Sequence, residues 1–262
     1  MNNTTNDTAN DTITTGTRGH LYGVGIGPGD PELMTLKAYR VIQACPVIAH
    51  FAARRRHGNA WSIIEDVVTE HQTVLRLEYP VTTEAIEPAD YERQIAEFYD
   101  RSADEVAANL DAGRDVAVVC EGDPFFYGSY MYIHQRLADR SQTEVSPGVT
   151  SVSAASAAAG VPLVSMNETL TVLPGVMQPA RLKEALANVD AAVVMKVGRH
   201  LADVRDAAAA VGLADQSVYV ERASCATERV VPLTDTVDIE APYFSLVLIP
   251  GTGLSTRSRT IE

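Results

Sequence analysis

Three times in its first 160 residues the chain passes from a short apolar stretch, through a loop carrying glycine, into a segment of helical character. His20–Gly25 runs into Gly23-Val24-Gly25-Ile26-Gly27-Pro28-Gly29-Asp30. Asp115–Cys120 runs into Cys120-Glu121-Gly122-Asp123-Pro124-Phe125-Phe126-Tyr127-Gly128-Ser129. Thr143–Ser146 runs into Ser146-Pro147-Gly148-Val149-Thr150-Ser151. Strands that alternate with helices in this way predict an α/β unit whose sheet is mostly parallel, with the loops at the carboxyl ends of the strands. Glycine in such loops lets the backbone come close to a ligand or to another loop.

Around this frame the pattern predicts a helix starting at Asp30-Pro31-Glu32 and running to about Cys45, strands at 46–51 and 73–78, and helices at 61–70 and 91–112. Asp caps, Pro tolerates the first helical turn, and Glu suits the positive end of the helix dipole. A helix of small residues spans Ser151–Ala159 and stops at Gly160-Val161-Pro162. The second half reads differently. Five strands are expected, at 169–173, 191–197, 217–221, 229–233 and 243–250, with helices near 181–187 and 200–211. The last two strands have no helix between them, which predicts a mixed sheet. The expected organisation is a disordered tail at 1–17, an α/β domain at 18–160 and a second at 161–262, with the boundary in the stretch 158–168.

Charge narrows the partners. The chain has 262 residues, a net charge of −13 and 46% hydrophobic residues. Of its 21 basic residues only Lys37, Lys183 and Lys196 are lysine. A surface rich in acid and poor in lysine suits high intracellular salt, where self-repulsion is screened, and points to a halophile, with an ordinary acidic cytosolic protein as the alternative. It disfavours nucleic acid as a partner. No apolar run approaches the ~20 residues of a membrane span. The first residues lack the basic start and apolar core of a secretory signal, so a cytoplasmic location is expected. Cys45, Cys120 and Cys225 are far apart, as are the histidines, and no metal site is expected.

Each loop taken alone is ambiguous. The first is not a dinucleotide fingerprint: counted from Gly23 the last required glycine falls at Pro28, and counted from Gly25 it falls at Asp30. It serves equally well as a tight turn. Glu121 and Asp123 read as ribose- or cation-binding carboxylates, or as a solvated acid beside a cap. Thr150 and Ser151 read first as a helix cap.

In order and spacing the three loops resemble the tetrapyrrole methylase family, over residues 20 to 250. The stretch Glu121–Tyr132 and the opening Gly25–Thr35 resemble the branch that methylates C20 of precorrin-2 or cobalt-factor II on the way to cobalamin; other branches commonly carry Gly in place of Glu121. The resemblance implies a class III methyltransferase-like fold, with S-adenosylmethionine in the cleft between two α/β domains and S-adenosylhomocysteine as product. It implies cofactor contacts at Pro28, Glu121, Gly122, Asp123, Phe126, Thr150, Ser151, Met195 and Ala223. Ala223 stands where relatives often have Gly. It also implies a homodimer. No base is identified for the proton that C20 must lose; Glu121, Asp123 and Tyr127 are candidates because they lie on the ligand loop.

A tetrapyrrole with many carboxylates needs positive charge, and Arg54-Arg55-Arg56 is the densest basic run, with Arg199 and Arg222 as further candidates. A solvated basic loop is the equal alternative. Uroporphyrinogen III as acceptor, a nucleotide-binding protein and a non-catalytic tetrapyrrole carrier are the competing readings.

Overall fold

The computed structural model describes residues 17–54, 58–80 and 87–253. The tail expected at 1–17 lies, apart from Thr17, outside the described residues. Two five-stranded sheets form the frame.

The first sheet contains β1 (Leu21–Gly25), β2 (Val47–Ala53), β3 (Thr73–Tyr79), β4 (Val116–Cys120) and β5 (Thr143–Ser146), in the order β3-β2-β4-β1-β5. All its pairings are parallel. β2 and β4 are buried almost throughout, as expected of a parallel sheet covered on both faces. On one face lie α1 (Leu36–Ala44) and α2 (Asn59–Ile64), which bring Ile42, Ile63 and Ile64 onto Val24, Ile48 and Val119. On the other lie α3 (Pro88–Asp111) and α4 (Tyr130–Leu137), whose Phe98, Val106, Tyr130 and Ile133 pack on Leu21, Phe51 and Val118.

Two elements depart from the sequence expectation. The helix expected from Asp30 to Cys45 is two pieces. A 3₁₀ turn at Pro31–Leu33 is capped by Asp30, whose carboxylate accepts the Glu32 N–H at 2.8 Å. The backbone is then extended at Met34 and Thr35, and Thr35 Oγ1 caps α1 through the Ala38 N–H at 3.1 Å. Two good caps five residues apart give two starts. The helix expected at 61–70 is α2, earlier and shorter. Gln72 holds the chain beyond it by accepting the Thr69 N–H and donating to the Ile42 and Cys45 carbonyls.

The second sheet contains β6 (Leu170–Pro174), β7 (Ala191–Met195), β8 (Val218–Glu221), β9 (Arg229–Pro232) and β10 (Ser245–Ile249), in the order β6-β7-β10-β8-β9. β6 and β7 are parallel and the other pairs antiparallel. The sheet is therefore mixed, as expected. α6 (Pro179–Leu186) and α7 (Leu201–Ala210) cover one face. The opposite face is covered by α5 (Ser151–Ala159), with Leu33 and Phe126 from the first unit. Small side chains let α5 lie close to β8 and β10. The small-residue helix is thus part of the seam between the two sheets.

Candidate active site

The strand order explains why three loops distant in sequence meet. β1 sits between β4 and β5, and the chain reverses direction across the sheet at β1. At such a switch point the carboxyl ends of neighbouring strands open into a crevice. The loops after β1, β4 and β5 therefore emerge side by side.

Backbone contacts lock them together. Ile26 N–H donates to Cys120 O at 3.0 Å, and Gly122 N–H to Gly27 O at 2.8 Å, so the first two loops continue to pair beyond the sheet. Asp123 joins the second loop to the third: one carboxylate oxygen accepts the Gly148 N–H at 3.0 Å, the other the Phe125 N–H at 2.9 Å. A Cβ at Gly148 would lie 2.0 Å from Gly122 O, and one at Gly25 would lie 2.6 Å from Gly148 N. These glycines are required by the approach of loop to loop. Gly122 in addition holds φ +67°, in the region that favours glycine.

Glu121 is half-buried. Its Oε1 accepts the Ala60 N–H at 2.9 Å, which caps the start of α2. Burial raises its pKa, and the Ala60 N–H opposes that rise. Tyr243, from the segment before β10, faces it from the second unit. Burial raises the Tyr243 pKa, and the negative charge of Glu121 adds to the rise. Tyr132 adds to that rise as well. Cys120, just before Glu121, has its thiol pushed up to about 12 by burial, so it stays neutral and apolar at physiological pH.

The second unit supplies the opposite side. Asp30 N–H donates to Ser224 Oγ at 3.2 Å, and a Cβ on Gly29 would lie 2.4 Å from Cys225 Sγ. The Pro28-Gly29-Asp30 turn therefore sits directly on Ala223-Ser224-Cys225. Met195, Ala223 and Phe126 share one buried cluster. The left-handed positions around Ala223 are Arg222 (φ 48°) and Ser224 (φ 63°), so the backbone at Ala223 itself does not call for glycine.

Of the residues singled out from sequence, Pro28, Glu121, Gly122, Asp123, Phe126, Met195 and Ala223 are brought to this one cleft. Thr150 and Ser151 begin α5 beside it: Thr150 Oγ1 accepts the Ser153 N–H at 3.4 Å as a cap, and Thr150 Cα is 3.9 Å from a Cβ placed on Gly122. Tyr127 is displayed at the edge, 43% exposed. Arg54 is exposed at the turn after β2, at the same end of the sheet, while Arg55 and Arg56 lie outside the described residues. Sequence reasoning did not find Lys196, Ser224 or Tyr243, whose local patterns carry no ligand signal. A separate hollow of about 350 Å³ near Tyr22, Lys37 and Asp115 opens at the amino ends of the strands, away from the glycine loops. Among the described residues no group of His, Cys, Asp and Glu is placed to hold a metal ion.

The cleft fits a nucleoside bearing a sulfonium. It offers an apolar wall of Phe126, Met195 and Ala223 beside polar backbone at three glycine loops, with the carboxylate of Glu121 nearby.

Comparison with known proteins agrees. The family model for Tetrapyrrole (Corrin/Porphyrin) Methylases matches residues 20–236. A precorrin-2 C(20)-methyltransferase from Sinorhizobium is 51% identical, over 89% of this chain and 96% of its own length. A cobalt-precorrin-2 C(20)-methyltransferase from Salmonella typhimurium is 28% identical, over 88% of this chain and 96% of its own. Among solved structures, a cobalt precorrin-4 methyltransferase superposes with TM-score 0.68 at 22% identity, over 88% of this chain and 94% of that one. The uroporphyrin-III C-methyltransferase of Thermus thermophilus, solved with S-adenosylhomocysteine, superposes with TM-score 0.61 at 25% identity, over 88% of this chain and 96% of that one.

Proposed function

The chain belongs to the tetrapyrrole methylase family, and from that premise we propose that it transfers a methyl group from S-adenosylmethionine to C20 of precorrin-2 in cobalamin biosynthesis. The single observation that carries this reading is 51% identity to the Sinorhizobium precorrin-2 enzyme across almost the whole of both chains. The lower identity, 28%, to the Salmonella cobalt-precorrin-2 enzyme favours the metal-free acceptor over its cobalt form. The enzyme is a C-methyltransferase, and its cofactor is S-adenosylmethionine.

In this reading Pro28, Glu121, Gly122, Asp123, Phe126, Thr150, Ser151, Met195 and Ala223 hold the cofactor. The cofactor supplies a methyl group on a positively charged sulfur. The chain supplies position: in-line transfer gains most from two reactants held at fixed distance and angle, and loops locked to one another by backbone bonds provide that rigidity. The buried wall at Met195, Ala223 and Phe126 keeps water from the methyl group.

Two of the base candidates, Asp123 and Glu121, differ in what is free. Both Asp123 oxygens already accept N–H groups, so Asp123 serves the loops. Glu121 commits one oxygen to Ala60 and keeps a raised affinity for a proton, which favours Glu121 as acceptor of the C20 proton. Arg54, with Arg55 and Arg56 next in sequence, would take the acceptor's carboxylates. The reading includes a division near residue 160 into two domains, a homodimeric, cytoplasmic enzyme, and an origin in a high-salt organism. No helix among the described residues is long and apolar enough to cross a membrane.

The test is methyl transfer followed by mass spectrometry in concentrated potassium chloride, with labelled S-adenosylmethionine and precorrin-2, cobalt-factor II or uroporphyrinogen III in parallel. One labelled methyl at C20 of precorrin-2 is the expected product. Label on uroporphyrinogen III alone would overturn the acceptor and keep the chemistry.

A further inference from the structure

Lys196 follows the last residue of β7 and stands in the cleft in an unusual posture. Its backbone is left-handed, φ 57°, and so is that of Tyr127 across the seam, φ 58°. Residues bearing a Cβ disfavour this conformation and keep it where surroundings impose it, most often at functional sites. Here the surroundings do impose it. On one side of Lys196, Gly175 N–H donates to Met195 O at 2.6 Å; on the other, Val197 N–H donates to Ser245 O at 3.2 Å. Beside Tyr127, Gly128 is packed so closely that a Cβ would lie 2.6 Å from Pro124 O.

The two held backbones bring two side chains together. Lys196 Nζ lies 4.9 Å from the centre of the Tyr127 ring. Their chain neighbours Met195 and Phe126 meet beneath them in the buried cluster. The ammonium uses one side for the ring. Lys37 is paired with Glu144, whereas Lys196 has no carboxylate within ion-pair distance among the described residues. Lys183 also lacks an ion pair among the described residues; what sets Lys196 apart is the aromatic ring that holds its ammonium at the cleft. A compact ammonium keeps donors pointing away from the ring, where a guanidinium would lie flat on it. Inside a cleft the attraction of such a cation for an anion exceeds that of a surface pair.

We infer that Lys196, propped on Tyr127, is a substrate-binding residue whose ammonium takes a peripheral carboxylate of the tetrapyrrole acceptor. The inference rests on the reading of the cleft as the tetrapyrrole site. It fixes one corner of the acceptor relative to Met195, and so to the transferable methyl group.

The test uses uroporphyrin, a stable tetrapyrrole rich in carboxylates, titrated by fluorescence into the full chain and into K196M, K196R and Y127L. Affinity for S-adenosylmethionine is measured by calorimetry on the same samples, and methyl transfer to precorrin-2 is run beside it. K196M should weaken porphyrin binding about tenfold and leave cofactor affinity within about twofold; K196R, whose guanidinium would lie flat on the ring, should recover only part of the loss, and Y127L should fall between. Methylation by K196M should show the defect in KM for precorrin-2, with kcat little changed. Unchanged porphyrin binding by K196M, a wild-type protein that binds no porphyrin, or an equal loss of cofactor affinity would each overturn the inference. The proposed function fails separately. A wild-type chain that binds porphyrin through Lys196 but methylates no tetrapyrrole would sink that function and leave the anchor in place. Normal methylation with an unaltered KM in K196M would do the reverse.

Discussion

A single carbon at Gly148 would collide with Gly122 O at 2.0 Å, and both atoms belong to backbone that is bonded on either side. Neither loop can give way without breaking the Asp123–Gly148 link. Gly148→Ala should therefore cost about 1–3 kcal/mol of stability, the usual range for overpacking, and remove most of the affinity for S-adenosylmethionine. Denaturant unfolding and calorimetric titration check the two parts. Glu121 gives a second expectation at this scale. Its pKa is raised in the folded chain, so between the ordinary glutamate value of about 4.3 and the higher native value the folded state holds a proton that the unfolded state lacks. The resulting stability is complete below the ordinary value and lost as pH rises through the native one. Glu121→Gln keeps an oxygen for the Ala60 N–H and removes the titration. Relative to wild type, its melting temperature should improve as pH rises from 4 toward 8; a difference independent of pH would contradict the assignment.

Among the elements, α5 shows how far pattern reasoning reaches. Its extent, its small residues and its stop at Gly160 are local properties, readable because an αL glycine ends helices. Its partner is not local. The helix lies on β8 and β10, in a cluster with Met195 and Ala223, and nothing in Ser151–Ala159 names that sheet. Ala155 is fully buried there. Ala155→Leu should push α5 off the second sheet, cost about 1–3 kcal/mol, and lower cofactor affinity although no cofactor contact is changed. Unfolding and binding measured on the same variant would reveal the coupling; full affinity in a destabilised variant would deny it. The split of the expected 30–45 helix has a related cause. Asp30 and Thr35 both carry cap chemistry, and periodicity alone does not report that both are used.

For the molecule as a whole, the dominant quantity is charge. At −13 the folded chain repels itself, and that repulsion weakens as the Debye length falls from roughly 10 Å at 0.1 M salt to roughly 3 Å at 1 M. Thermal melts in potassium chloride should rise by about 5 °C or more across that range. A flat or falling profile would reject the high-salt reading. If Lys196 and Arg54 take the acceptor's carboxylates as proposed, salt that stabilises the fold should also weaken acceptor binding.

Read in one dimension, the chain already determined most of its strands, its three glycine loops and the mixed character of the second sheet, while Pro28 and Met195 were singled out only through the family resemblance and Asp123 stayed ambiguous without it. The strands and loops depend on neighbours a few positions away: alternation, caps, and glycines where backbone must approach backbone. Only the tertiary structure decided that Asp123 spends its carboxylate on Gly148, that Glu121 caps α2, that Ser224 receives the Asp30 N–H, and that Lys196 rests on Tyr127. Each of these pairs joins elements distant in the chain, and each partner has an ordinary local environment. Strand order and the docking of α5 bring them together, and neither is encoded by any short stretch of residues.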